Sequence, residues 1–68
     1  MKSKIKIKFA GINWRCHECY VTEKGTYLEL LDDGYHVLNQ APDYGLAGID
    51  GEPDYKVEED CLEIVDSF

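Results

Sequence analysis

Residues 54–68, DYKVEEDCLEIVDSF, carry two competing periodicities, and the fold class turns on which one the chain obeys. With Asp54 as an N-cap, Val57, Cys61, Ile64, Val65 and Phe68 fall at helical spacing, while Glu58, Glu59, Glu63 and Asp66 lie opposite them. The same stretch contains CLEIV, which is β-branched toward its end and short enough for a strand. The amphipathic pattern favours the helix. The expected fold is therefore α+β, a small antiparallel four-stranded meander with a C-terminal acidic helix over residues 55–66. The alternative is all-β, a small five-stranded barrel with residues 56–65 as its last strand.

Upstream of this segment, residues 39–54 (NQAPDYGLAGIDGEPD) are punctuated by Pro42, Gly45, Gly48, Gly51 and Pro53, which defeats a regular element and predicts a long loop. Before it lie the hairpin signals. Lys24-Gly25 and Asp33-Gly34 read as two-residue turns, separating strands over 12–22, 26–31 and 35–39. Those turns would set Val21 opposite Leu28, Cys19 opposite Leu30, and Leu30 opposite Val37. Arg15, His17, Cys19, Val21, Leu28, Leu30, Tyr35 and Val37 would then share one face, expected to be the core. Trp14, Cys16, Glu18, Tyr20, Tyr27, Glu29, Leu31, His36 and Leu38 would share the other. A one-residue change in either turn exchanges the faces.

The first strand, residues 2–9, is the clearest. Lys2, Lys4, Lys6 and Lys8 alternate with Ser3, Ile5, Ile7 and Phe9, placing the lysines on one face, as on an edge strand protected against aggregation. All 68 residues fit one domain, and a chain this short buries about 60% of its unfolded surface, so stability is thin. Its 44% apolar and 12% aromatic content is nevertheless enough for a globular core.

Charge divides the chain. Residues 1–25 hold six cations against two acids, whereas residues 26–68 hold Lys56 against twelve acids, for a net charge of −7. Such a balance repels nucleic acid and favours basic partners, besides aiding solubility. Three cysteines cannot all pair within one chain, and MKSKIKIKF has no apolar signal core, so a reduced, cytoplasmic protein is expected. No apolar run approaches the roughly 18 residues of a membrane helix.

Cys16 and Cys19, in CHEC, have the spacing of a metal knuckle, and His36 (or His17) with Cys61 would complete a zinc set. The flanking residues continue a strand pattern, however, in which Cys16 and Cys19 face opposite ways, so no cofactor is expected and a zinc-stabilised domain is the alternative. A redox CxxC would need a helix N-terminus. No nucleophile, base and oxyanion set can be assigned, which argues against an enzyme. Asp50, Glu52 and Asp54 alternate like calcium ligands, but the EF-hand Gly and Glu positions hold Tyr55 and Cys61. The glycines fit no nucleotide motif.

Surface recognition remains. Trp14, Tyr20 and Tyr27 beside Glu18 and Glu29 have the composition of a protein-binding hot spot. Asp50, Glu52, Asp54, Glu58, Glu59, Asp60, Glu63 and Asp66 place eight carboxylates within seventeen residues, an array able to imitate nucleic-acid phosphates. The expected function is thus a small acidic, non-enzymatic interaction module for a protein with a basic surface. Its narrowest form, by class analogy with small acidic phage proteins that inhibit nucleases, polymerases or CRISPR effectors, is a nucleic-acid mimic. Homodimerisation through a sheet edge is a further possibility.

Overall fold

The computed structural model describes residues 4–39, 49 and 51–68 and is a single six-stranded sheet. Its strands are β1 (Ile5–Ile12), β2 (Glu18–Thr22), β3 (Tyr27–Leu31), β4 (Gly34–Asn39), β5 (Glu52–Val57) and β6 (Leu62–Ile64), in spatial order β5-β4-β3-β2-β1-β6. The first five form an antiparallel meander, and β6 returns to lie parallel to β1, with Ile5 beside Leu62 and Ile7 beside Ile64. The sheet curls into a half-barrel.

The C-terminal helix is therefore a correction, and the all-β alternative is nearer. Residues 52–57 pair with β4, one 3-10 turn covers Glu59–Cys61, and β6 follows directly. The reason lies in where burial falls. Leu62, which the helical pattern leaves off its apolar face, is 8% exposed and belongs to the core, whereas Ile64 and Phe68, assigned to that face, are 57% and 50% exposed. Two open sheet edges also offer backbone partners that a helix cannot use. The single barrel strand over 56–65 is replaced by two strands at opposite ends of the order. Because β6 covers Ile5–Ile7, β1 is not an edge strand as its lysines suggest.

Turn length decides which side chains are inside. The β2–β3 hairpin closes on Thr22 and Thr26, whose N–H to O bond (Thr22 donating, 2.9 Å) leaves a three-residue loop, Glu23–Gly25, in which Gly25 N–H donates to Thr22 O (3.0 Å). Gly25 adopts φ +90°, a conformation that favours glycine. One residue more than expected moves the register by one, so Tyr20 pairs with Leu28 and Cys19 with Glu29. Every β2 side chain changes face relative to β3. At β3–β4 the turn is Asp32-Asp33 and Leu31 pairs with Gly34, a shift of two that leaves Leu28, Leu30, Tyr35 and Val37 together as expected. Tyr20 thus becomes core, edge-on to Phe9 (5.8 Å) and Tyr35 (5.6 Å), beside Ile7, Leu28 and Leu62.

These placements make adjacent residues behave oppositely. Leu62→Ala is expected to cost about 2–4 kcal/mol in urea unfolding, as for other buried leucines, whereas Cys61→Ala at its exposed neighbouring position should stay within about 0.5 kcal/mol. The reverse ranking would restore the helix.

Candidate functional site: an exposed tryptophan loop anchored by a buried carboxylate

The connection from β1 to β2, residues 13–17, is NWRCH. Asn13 is 5% exposed and organises it: its Oδ1 accepts the backbone N–H groups of Arg15 and His17 (both 3.0 Å). Its own N–H donates to His17 O (3.0 Å), and Cys16 N–H donates to Asn13 O (2.9 Å). Asn is suited to this because its short side chain can cap a turn of its own backbone. Cys16 takes φ 65°, unusual for a residue other than Gly or Asn.

Beneath the loop lies Glu29 on β3, fully buried. Arg15 grips it with two groups, Nη2 to Oε1 (2.8 Å) and Nε to Oε2 (3.0 Å), while Nη2 also donates to Gly51 O (2.5 Å). His17 Nδ1 stands 2.7 Å from Glu29 Oε2; an ionised carboxylate only accepts, so the ring proton sits on Nδ1. Burial by itself would push the Glu29 carboxyl up, but hydrogen bonds from Arg15, Asn13 and His17 outweigh it and hold the pKa at about 2. Asn13 Nδ2 is buried without a bond of standard geometry, so the bonds seen on the carboxylate come from Arg15 and His17. The same pairing raises the pKa of Arg15.

Above the carboxylate the loop is open. Trp14 is 70% exposed, and the Arg15 guanidinium sits 4.9 Å from its ring centroid. One arginine therefore joins the buried anion, the backbone before β5 and the surface indole. A carboxylate held this low is an acceptor at neutral pH, so Glu29 positions the loop rather than moving protons.

The remaining expected site residues fall elsewhere. Tyr20 lies in the core, with its hydroxyl donating to Glu18 (3.0 Å) and its pKa pushed up to about 12, first by burial and then by that hydrogen bond. Tyr27, half-buried, pairs with Val21. The aromatic face of three therefore reduces to Trp14. Glu52 and Asp54 lie on β5 at one end of the strand order and Glu63 on β6 at the other; Glu58, Glu59 and Asp60 occupy the connection between them, and Asp66 follows β6. All seven are exposed, but no helical face gathers them; Asp50 lies outside the described residues.

For zinc, the structure does not bring the four ligands together: among the described residues no group of three or more His, Cys, Asp or Glu is placed to hold a metal. Cys16 is exposed in the loop, Cys19 is buried in β2 with Sγ 3.7 Å from His17 O, and Cys61 is exposed in the 3-10 turn. His36 Nε2 is engaged by Asp33 Oδ1 at 2.9 Å. No described helix is long and apolar enough to cross a membrane.

The Arg15–Glu29–His17 cluster escapes a sequence reading because the two-residue turn puts Glu29 on the face opposite Arg15 and His17. The signal was present: a core face holding an arginine requires a counter-ion, and the three-residue turn supplies one.

Glu29 makes a signed pH prediction. Its carboxyl is at about 2 in the folded chain against 4.5 for the unreacted side chain, so its stabilisation is complete above roughly pH 4.5 and is lost as pH falls toward 2, on the order of 3 kcal/mol in all. Glu29→Gln should flatten that part of the urea-midpoint profile. Glu29→Ala at neutral pH should cost about 3–5 kcal/mol, since it leaves the Arg15 charge half-buried and unpaired. Neither a family model, nor a curated protein, nor a solved structure matches the chain, so function is read from this geometry.

Proposed function

We propose that this chain is a non-enzymatic binding module that presents Trp14 to a partner protein with a basic surface. The observation that carries this reading is a large aromatic side chain, 70% exposed, on a loop fixed from below by an ion pair to a fully buried carboxylate. An indole already held in position loses little freedom on binding, and tryptophan is among the residues that dominate interface energy. Trp14 supplies the contact.

The carboxylates act at longer range. Glu52, Asp54, Glu58, Glu59, Asp60, Glu63 and Asp66 are exposed and form no ion pair among the described residues, within a chain of net charge −7. Their field draws a cationic surface toward the module and speeds encounter, an effect that weakens with salt. Because they are spread over both ends of the sheet, the reading does not require them to match the spacing of phosphates.

The test compares Trp14→Ala with the triple reversal Glu58→Lys, Glu59→Lys, Asp60→Lys, using immobilised chain and extract of the source cells, followed by kinetics with the captured partner. Trp14→Ala should weaken binding about 30-fold or more, mainly through faster dissociation, as hot-spot truncations do. The triple reversal should chiefly slow association and reduce its salt dependence. If Trp14→Ala holds the same partner with unchanged dissociation, the loop is not the recognition element.

A further inference from the structure

A second feature lies away from the tryptophan loop. Although β5 and β1 are four places apart in the strand order, the curl brings Tyr55 and Val57 round to face Ile5, and the space between is a cavity of about 550 Å³. Leu28, Val37, Val57 and Leu62 contribute its apolar lining. At its margins Tyr55 is 64% and Ile5 48% exposed, so apolar surface continues outward on both sides. This size and character are those of a small-molecule site, in which a mostly apolar wall is oriented by a few polar groups.

The polar groups are of one predominant sign. Among the described residues, Lys4, Lys6 and Lys24 line the cavity, against Glu23 alone. In a chain with fourteen acids and seven cations, three cations and one acid among the described residues meet at this place. We infer that the cavity binds a single-chain amphipathic anion, an alkyl carboxylate whose tail lies against the leucine and valine wall and whose headgroup meets Lys4 and Lys24 at its mouth.

Charge also selects against the other occupants. A second copy of the chain, or a nucleic acid, brings extended negative charge against a body of net −7 and is repelled. A small anion feels chiefly the charges within a Debye length, about 8 Å at physiological ionic strength, and there the lysines prevail. Apolar burial then supplies most of the affinity, about 0.8 kcal/mol for each methylene covered.

The experiment follows backbone amide NMR shifts on titration with dodecanoate, dodecan-1-ol and dodecyltrimethylammonium, each below its aggregation threshold. Dodecanoate should shift the amides of Val37, Val57 and Leu62, and bind about tenfold tighter than the alcohol and tighter still than the cation. Lys4→Glu with Lys24→Glu, both at the surface, should erase that preference while leaving the melting temperature within a few degrees. Val57→Phe should exclude all three tails; were it to misfold, the lysine variant still decides. Equal affinity for the three headgroups, shifts centred on Trp14, or undiminished dodecanoate binding by the double lysine variant would overturn the inference. So would a stable dimer that protects these amides and is indifferent to dodecanoate.

Discussion

Glu29 is the point from which the rest of this small structure is organised. A fully buried carboxylate is expensive unless charge and hydrogen bonds surround it, and here the compensating groups come from parts of the chain that would otherwise be independent: Arg15 and His17 from the β1–β2 connection, and, through Arg15, the backbone at Gly51 just before β5. In a chain of 68 residues, whose core cluster holds five buried side chains among the described residues, such a junction replaces apolar contacts that the domain is too small to provide. It does so with a specificity that a leucine would lack, since two carboxylate oxygens accept only donors arriving from the correct directions.

The junction and the core occupy opposite faces of the same strands. Leu28 and Leu30 point toward the curled interior, and Glu29 between them points away, with Cys19 and His36 as its cross-strand neighbours. Strand alternation alone produces this division. What keeps the outer face from being an ordinary solvated surface is the chain passing over it: Ile49 lies with its carbonyl oxygen 3.8 Å from Cys19 Sγ and its side chain 3.5 Å from where a Cβ on Gly11 would stand. Gly11, at φ +140°, thereby serves both the bulge in β1 and that close approach.

Much of the sheet was legible in the residues. The Lys/Ile alternation of β1, the punctuation near Gly25 and Gly34, and the shared face of Leu28, Leu30, Tyr35 and Val37 all follow from period and turn chemistry. The β2 facing was not, because Glu23-Lys24-Gly25 can close a hairpin as either a two- or a three-residue loop, and this difference of one residue decides whether Tyr20 or Val21 faces Leu28. With it went the site, since the Arg15–Glu29 pair exists only in the longer-loop register. The C-terminal segment failed for a different reason. Helical spacing of Val57, Cys61 and Ile64 is a local property, whereas the decision to form strands rests on two distant sheet edges that no window of sequence contains.

The parallel pairing of β6 with β1 sets an order of events. β1 finds its outer neighbour only after Leu62–Ile64 has been made, with the four intervening strands already in between. Until then Ile7, which ends fully buried, has a partner on one side only. Contacts of large sequence separation are slow to close, and without β6 the lysine strand β1 is the exposed border of a five-stranded sheet. Lysines on β1 suit such an unfinished edge, since charge on a border strand discourages pairing with other chains.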